Sequence, residues 1–316
     1  MEVSIVVLTT GGTIASGSWD GPAVAPGARG LHSLRAGLAD DVEVREVMAV
    51  DSSSLDLAAM VSIRAAVDEA LDDPAVQGVV VLHGTDTLEE TALLLDLYHD
   101  DPRPVAVTGA MRPADHPAPD GPHNLAHAVD LVRAGAGQGV FVAFAGQVLP
   151  AHGVRKAHTA DIAAFEYVSV PRVGPLPFRR SIADVRVDIV ALYPGADRAL
   201  LDAAVAAGAR GLVLEGMGSG NGNPAVREAV AEYVAAGVSV VLTTRVPYGP
   251  VEAVYGGSGG AHDLVEVGAV VSRWLRAGQA RVLLAAVIAD AADPGGTDRV
   301  RLTEAFGASG RPTVET

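Results

Sequence analysis

Apolar runs alternate with segments of helical periodicity along the first half of the chain. The runs are predicted to be buried strands and lie at residues 3–8, 42–50, 76–82, 105–108 and 139–144. The segments between them place apolar residues at helical spacing, at 56–71, 87–97 and 124–132. Thr87-Leu88-Glu89-Glu90 has the form of a capping box that opens the second of these helices. The alternation predicts an α/β domain built on a parallel sheet.

A proline-rich stretch interrupts this alternation near the middle of the chain. Residues 171–180 contain three prolines, and we expect an interdomain linker over 171–186. A second series follows, with strands expected at 187–192, 211–214 and 239–243, helices at 198–207 and 225–236, and a terminal helix over 282–289. The prediction is a larger N-terminal domain over 1–170 and a smaller C-terminal α/β domain over 187–316.

Composition narrows the class of partner. The 316 residues include 23 lysines and arginines against 38 aspartates and glutamates, for a net charge of −15. A nucleic acid or an anionic membrane would be repelled, so we expect a small-molecule ligand. The absence of cysteine excludes disulfides, thiolate nucleophiles and cysteine metal sites, and His116, His123 and His127 lack the spacing of a metal site. No apolar run approaches ~18 residues and the opening does not resemble a signal segment, so we expect a cytoplasmic protein without a membrane span.

Two glycines end the first predicted strand and precede a threonine. Gly11 and Gly12 let the backbone turn sharply and approach a ligand, and their N–H groups can point at an anion. Thr13 then presents a hydroxyl at the strand end and is a candidate nucleophile. Taken alone, the fragment favours an ordinary glycine turn between a strand and a loop.

Polar residues also follow the other predicted strands of the first domain. Ser52, the Thr85-Asp86 pair and Ala110 stand at the next three strand ends and, with Thr13, meet at one crevice if the sheet is parallel. Ser52, Thr85 and Asp86 have plainer interpretations: the serines around Ser52 cap a helix, and Thr85 and Asp86 are turn and helix-dipole residues. We expect the neighbouring His83 to be a structural histidine.

Lys156 is the only lysine in the chain, where every other basic site uses arginine. Arginine keeps its proton in proteins, whereas a partly buried lysine can lose it and act as a base. We therefore expect Lys156 to take a proton from Thr85 while Asp86 orients the resulting ammonium group. Backbone N–H groups of Gly11-Gly12 and Gly84-Thr85 are candidates for an oxyanion hole. The alternative is a surface lysine without a role.

These motifs together resemble the bacterial-type L-asparaginase family. The resemblance is carried by Thr10-Gly11-Gly12-Thr13-Ile14-Ala15 and by His83-Gly84-Thr85-Asp86-Thr87-Leu88-Glu89-Glu90-Thr91. It extends through Thr108-Gly109-Ala110-Met111-Arg112-Pro113 and Asp120-Gly121-Pro122-x-Asn124-Leu125. It covers most of the first domain and continues more weakly to the end of the chain.

The resemblance implies a fold, a reaction and a set of site residues. The fold is a larger flavodoxin-like domain followed by a smaller α/β domain. The reaction is hydrolysis of L-asparagine to L-aspartate and ammonia without a cofactor, with Thr13 as nucleophile and with Thr85, Asp86 and Lys156 as a second threonine centre. The residues that contact the substrate are Gly12, Ser52, Ser53, Gly84, Thr85, Asp86 and the Ala110 carbonyl. Family members form dimers or tetramers with shared active sites, so the resemblance implies a homodimer or homotetramer.

The chain departs from the family pattern in the flap, beside Ser52 and in the second domain. The flap at 16–30 has no tyrosine, its only aromatic residue being Trp19. Ser53 stands where many members have glutamine. Glu252 and Tyr255 lie in the region from which a neighbouring subunit contributes an acidic residue, but neither matches the family pattern.

Other functions remain open on the sequence alone. A glutaminase-asparaginase differs only in accepting a substrate with one more methylene, which a pocket discriminates by ~1–3 kcal/mol. A non-catalytic amino-acid sensor would bind the same ligand, but it would not need the Thr85, Asp86 and Lys156 relay. A nucleotide-binding module would need a P-loop or a dinucleotide fingerprint, and neither pattern is present. A transfer-RNA amidotransferase subunit would have an additional N-terminal domain before Thr13.

Overall fold

The structure is a computed structural model that describes residues 4–12, 38–135, 139–168, 178–291 and 299–306. It divides into two compact units, Met1–Val168 and Ser169–Thr316. Each is an α/β body, as the alternation of apolar runs and helical segments predicts.

The first unit is built on a mostly parallel sheet. Its strands are β1 Ile5–Thr9, β2 Val42–Glu46, β3 Gly78–Leu82, β4 Val105–Thr108, β5 Val140–Phe144 and β6 Gln147–Pro150, and its described helices are α1 Leu57–Leu71, α2 Leu88–Tyr98 and α3 Gly121–Arg133. The strand order is β2-β1-β3-β4-β5-β6. The first five strands are parallel and β6 returns antiparallel to β5. The order of the parallel strands is the flavodoxin-like one, which confirms the predicted fold class.

Apolar side chains on both faces of this sheet explain its continuous apolar strands. Val6 and Leu8 of β1 are buried in a core that α1 and α2 cover. Ile5 and Val7 point to the opposite face, into a core that contains buried residues of α3. Successive side chains of a strand alternate between faces, so a strand covered on both sides is apolar at every position.

Two helix starts differ in how they are capped. Asp56 caps α1, since its side chain accepts a hydrogen bond from the Ala59 N–H at 2.8 Å. The predicted capping box at the start of α2 is wrong, because Thr87 makes no side-chain capping bond. Its hydroxyl donates instead to the Ser52 carbonyl at 2.8 Å. Thr87 therefore bonds to a residue distant in the sequence and not to the first turn of its own helix.

A short antiparallel pair follows the main sheet of the first unit. It consists of β7 Val154–Lys156 and β8 Phe165–Tyr167. Phe165 packs against Phe144 of β5, with the ring centroids 4.8 Å apart. The pair lies in the same core as the central strands, which positions Lys156 relative to the sheet.

The second unit has a parallel sheet of its own. Its strands are β9 Val187–Ala191, β10 Gly211–Gly216, β11 Ser239–Thr244 and β12 Val270–Val271, and its described helices are α4 Ala199–Ala206, α5 Pro224–Ala235, α6 Ala261–Glu266, α7 Ala277–Ala289 and α8 Arg299–Phe306. The order is β12-β11-β10-β9, with every neighbouring pair parallel. The helix expected at 282–289 is confirmed as part of α7.

Part of the expected linker packs within the second unit. Phe178, Ile182 and Val185 are buried, and Asp290 accepts hydrogen bonds from the backbone of Arg179. Residues 171–177 of the expected linker lie outside the described residues. Among the helices that the structure describes, none is both long and apolar enough to cross a bilayer.

Candidate active site

The register of the first sheet brings several strand ends to one level. Thr9 of β1 pairs with Glu46 of β2 and with Leu82 of β3, and Leu82 pairs with Thr108 of β4. The strand order reverses direction at β1, because β2 lies on one side of it and β3 on the other. Open α/β sheets bind ligands at such a switch point, outside the carboxyl ends of the strands.

Glycines allow the loops after β1, β2 and β3 to touch one another. Gly12 has a φ of +84°, and a Cβ atom there would lie 2.6 Å from Gly84 Cα. A Cβ atom on Gly84 would lie 2.5 Å from Ser52 Oγ. A larger residue at either position would force the loops apart, so this contact requires glycine. The structure therefore brings together three of the residues that the sequence assigns to substrate binding.

Ser52 links the loop after β2 to the start of α2. It is buried, and its Oγ accepts a hydrogen bond from the Asp86 N–H at 3.2 Å. Since Asp56 caps α1, the helix-capping interpretation of Ser52 is wrong. A serine hydroxyl that accepts one bond can still donate its hydrogen, which suits a carboxylate ligand.

Lys156, at the end of β7, extends its side chain to the turn that contains Thr85 and Asp86. Its Nζ donates to Thr85 Oγ1 at 2.9 Å and to Asp86 Oδ1 at 2.7 Å. The Lys156 side chain is 19% exposed and that of Asp86 is 61% exposed, while Thr85 is buried. The three residues of the predicted relay are in direct contact, and the surface-lysine interpretation does not fit this geometry.

Glu89 also contacts Lys156, which the sequence reasoning missed. Its Oε2 accepts a hydrogen bond from the Lys156 backbone N–H at 2.5 Å. Burial, and then the adjacent Glu90 carboxylate, raise the pKa of Glu89 well above its usual range. The available signal was its place in the Thr85–Thr91 motif, where the capping-box pattern directed attention to Glu90.

Asp120 holds the loop that contains the buried Ala110. Its two carboxylate oxygens accept hydrogen bonds from the Met111 and Arg112 N–H groups, each at 2.9 Å. A carboxylate that receives backbone N–H groups stiffens a loop without forming secondary structure. Asp120 is part of the sequence motif, but neither the motif nor the apolar periodicity around it indicated that its side chain binds this loop.

Asn124 holds the same loop from the other side. Its Nδ2 donates to the Gly109 carbonyl at 3.0 Å, and its Oδ1 accepts from the Ala145 N–H at 3.0 Å. The amide group therefore ties the loop after β4 to the loop after β5. Its role, like that of Asp120, follows from contacts that link separate loops, which the order of residues alone does not show.

His83 is confirmed as a structural histidine. It is fully buried, with Nδ1 2.7 Å from the Gly84 carbonyl oxygen and Nε2 2.9 Å from Thr91 Oγ1. Burial lowers its pKa to about 4, against the smaller opposing effect of the bond to Gly84. A neutral imidazole that donates from Nδ1 and accepts at Nε2 satisfies both contacts.

Some predicted site features lie outside this network. Thr13 and the flap at 16–30 lie outside the described residues. Ser53 is exposed and takes no part in the contacts around Ser52. Within the part of the chain that the structure describes, no group of three or more histidine, cysteine, aspartate or glutamate side chains is placed to hold a metal ion.

Comparison with known families gives the same assignment for both units. Residues 4–185 match the family model of the asparaginase N-terminal domain, and residues 186–300 match that of the glutaminase/asparaginase C-terminal domain. The chain belongs to the asparaginase family. The resemblance carried by the sequence motifs is thereby confirmed for both domains.

Individual relatives agree with this membership. The chain is 30% identical to an L-asparaginase of Bacillus licheniformis, over 92% of this chain and 96% of that protein. It is 33% identical to L-asparaginase 2 of Escherichia coli strain K12, over 92% of this chain and 90% of that protein. Among solved structures, the thermostable L-asparaginase from Thermococcus kodakarensis superposes with a TM-score of 0.79 at 28% identity, over 96% of this chain and 97% of that one.

The buried His83 predicts a pH dependence of stability. The pKa of this histidine is near its ordinary value of 6.5 in the unfolded chain and about 4 in the folded protein, so between these pH values the unfolded chain binds more protons. The contribution of neutral His83 to the free energy of unfolding is complete above pH 6.5 and is lost as the pH falls from 6.5 to about 4, by roughly 3 kcal/mol in total.

The measurement is the free energy of unfolding by urea at several pH values, compared between the native protein and His83→Gln. In His83→Gln the free energy of unfolding should depend less steeply on pH between 4 and 6.5. His123→Gln, a change at an exposed position on α3, should keep the native pH dependence. Equal slopes for native protein and His83→Gln would contradict the assignment.

Proposed function

We propose that this asparaginase-family protein hydrolyses the side-chain amide of L-asparagine through a threonine acyl-enzyme, releasing L-aspartate and ammonia. The observation that carries the proposal is the contact of Lys156 Nζ with Thr85 Oγ1 and Asp86 Oδ1, beside Ser52 and Gly84. A hydroxyl next to an amine and a carboxylate is the arrangement that activates a nucleophile. A non-catalytic sensor has no need of it.

The reaction begins at Thr13. Its hydroxyl oxygen attacks the amide carbon and its proton passes to the amide nitrogen, while N–H groups of the loops around Gly12 and Gly84 stabilise the oxyanion. The carbon–nitrogen bond then breaks, ammonia leaves with the transferred proton, and an aspartyl ester of Thr13 remains. This role of Thr13 rests on its motif and on its place directly after Gly12.

The second half of the reaction uses the lysine relay. Lys156 takes the proton of Thr85, and Thr85 takes one from a water molecule that attacks the ester carbon. The ester bond breaks, aspartate is released, and the proton held by Lys156 returns to the Thr13 oxygen, which leaves Lys156 neutral again. Asp86 pairs with the ammonium group of Lys156 while it carries the extra proton.

Polar groups around the relay bind the rest of the substrate. The Ser52 hydroxyl donates to the α-carboxylate, with Ser53 at the exposed edge of the same turn. The exposed part of Asp86 accepts the α-ammonium group, and the Ala110 carbonyl accepts the amide N–H. Asp120 and Asn124 hold the Ala110 loop in place for this contact.

A glutaminase-asparaginase of broad specificity is the alternative within this class. The family model that matches residues 186–300 covers glutaminases as well as asparaginases. One methylene separates the substrates, so selectivity depends on small differences in the pocket. A cytoplasmic location likewise remains a prediction.

The first test measures ammonia release from L-asparagine and L-glutamine side by side. The native enzyme should hydrolyse asparagine, and hydroxylamine should divert the acyl-enzyme to a hydroxamate. Thr13→Ala should still fold and bind aspartate, because it deletes the attacking oxygen alone, but hydrolysis should fall by at least about 1,000-fold. Near-native turnover by Thr13→Ala would exclude Thr13 as nucleophile, and equal rates with both amides would favour the broad-specificity alternative.

The lone lysine gives a second test. Lys156→Arg keeps the positive charge next to Asp86 but cannot accept a proton. It should fold and bind aspartate while losing most of kcat, by about 100-fold or more, and Lys156→Met should behave similarly. Steady-state kinetics measure the loss, and a native kcat for Lys156→Arg would remove Lys156 from the mechanism.

We also propose a homodimer or homotetramer with shared active sites. Exposed apolar side chains in one segment of the second unit support an interface, with Tyr248 67% and Tyr255 60% exposed. Large aromatic side chains of this kind are enriched at contact surfaces between proteins. Activity should therefore fall in step with dissociation when the enzyme is diluted, as followed by simultaneous light scattering. A fully active monomer would exclude shared sites.

A further inference from the structure

The backbone of Lys156 has a partner that the antiparallel pair β7–β8 does not provide. At the end of this pair, one residue beyond each strand, the Ala157 N–H donates to the Ala164 carbonyl at 2.7 Å. Neighbouring N–H groups of a strand point to opposite sides, so the Lys156 N–H points away from β8. It meets Glu89 Oε2 at 2.5 Å.

Glu89 belongs to the element that also carries the acceptors of the lysine side chain. Thr85 and Asp86 lie in the turn before α2, and Glu89 lies in the first turn of that helix. One short segment therefore holds Lys156 at both ends: Thr85 and Asp86 at the ammonium group, and Glu89 at the backbone.

Anchoring at the backbone matters because the lysine side chain is long and flexible. Four methylene groups let the ammonium group take many positions, and ordering them costs about 2 kcal/mol of rotamer entropy. A displacement of about 1 Å at a reacting group can reduce a rate about 100-fold. Restraint of the Lys156 backbone reduces the range of positions that its Nζ can reach.

We propose that Glu89 is a positioning residue of the relay, whose carboxyl oxygen holds the Lys156 backbone so that Nζ reaches Thr85 and Asp86. The inference rests on the proposed function, since it assumes that Lys156 transfers a proton. Glu89 acts through Lys156 and not on the substrate.

The surroundings of Glu89 favour its neutral form. Burial and the Glu90 carboxylate raise its pKa, while the bond from the Lys156 N–H and the charges of Arg155 and Lys156 oppose this. Arg155 forms an ion pair with Glu166. A neutral carboxyl group still accepts an N–H bond and leaves Asp86 as the charged partner of Lys156. Glutamine should therefore replace Glu89 without loss of the contact.

A purely helical role is the alternative for Glu89. Acidic residues in the first turn stabilise a helix through its dipole, and both Glu89 and Glu90 lie in the first turn of α2. Glu90 therefore serves as the control, because a dipole effect is shared by both residues and the contact with the Lys156 N–H is made by Glu89.

The experiment compares Glu89→Leu, Glu89→Gln and Glu90→Leu by kcat per folded site, with sites counted by calorimetric titration with L-aspartate. Glu89→Leu should lower kcat about 10- to 100-fold with KM changed less than about threefold, because the proton-transfer step loses its geometry. Glu89→Gln should restore kcat to within about threefold of native, and Glu90→Leu should keep it. Should Glu89→Leu fail to fold, Glu89→Asp replaces it, since it withdraws the oxygen from Lys156 by one methylene group.

A native kcat for folded Glu89→Leu, or equal losses for Glu89→Leu and Glu90→Leu, would overturn the proposal. In the Lys156→Met background, Glu89→Leu should cause no further loss, and an additive loss would also overturn it. An active Lys156→Met enzyme would instead reject the relay itself. Failure of the Glu89 proposal is therefore distinguishable from failure of the proposed lysine relay.

Discussion

Gly12, Gly84 and Ser52 come from three different loops and touch at the carboxyl ends of β1, β2 and β3. Their contact leaves no space for a Cβ atom on either glycine. The parallel register sets the level at which the strands end, and the absent side chains let the loops approach. The positions of Thr85 and Asp86 follow, because Ser52 Oγ accepts the Asp86 N–H and the helix α2 begins just beyond.

Polar side chains then stiffen loops that have no regular structure of their own. Asp120 and Asn124 bind the backbone around Ala110, and His83 binds the Gly84 carbonyl. Each of these side chains is buried and hydrogen-bonded, so its removal would leave an unsatisfied group behind. The groups assigned to substrate binding are in this way held before any ligand arrives, which is the condition for electrostatic stabilisation of a transition state.

Lys156 contributes its amine from a separate part of the first unit. The core around β5 and β8 fixes the strand pair that carries it, and Phe165 packs on Phe144. The ammonium group therefore depends on the apolar packing of the strand pair that carries it and on its contacts with Thr85 and Asp86. The position of the Lys156 amine depends on the hydrophobic core as well as on the polar residues around it.

The sequence by itself determined the class of fold, the order of strands and helices, and the candidate relay of Thr85, Asp86 and Lys156. Apolar periodicity and short motifs are local properties of the sequence, so they can be recognised without knowing which distant residues make contact. Only the tertiary structure decided that Thr87 binds the Ser52 carbonyl, 35 residues away, and that Glu89 binds the Lys156 backbone, 67 residues away. Each of these bonds joins groups from different elements. The sheet register and the core packing bring such groups together, and neither can be inferred from the residues of one local segment.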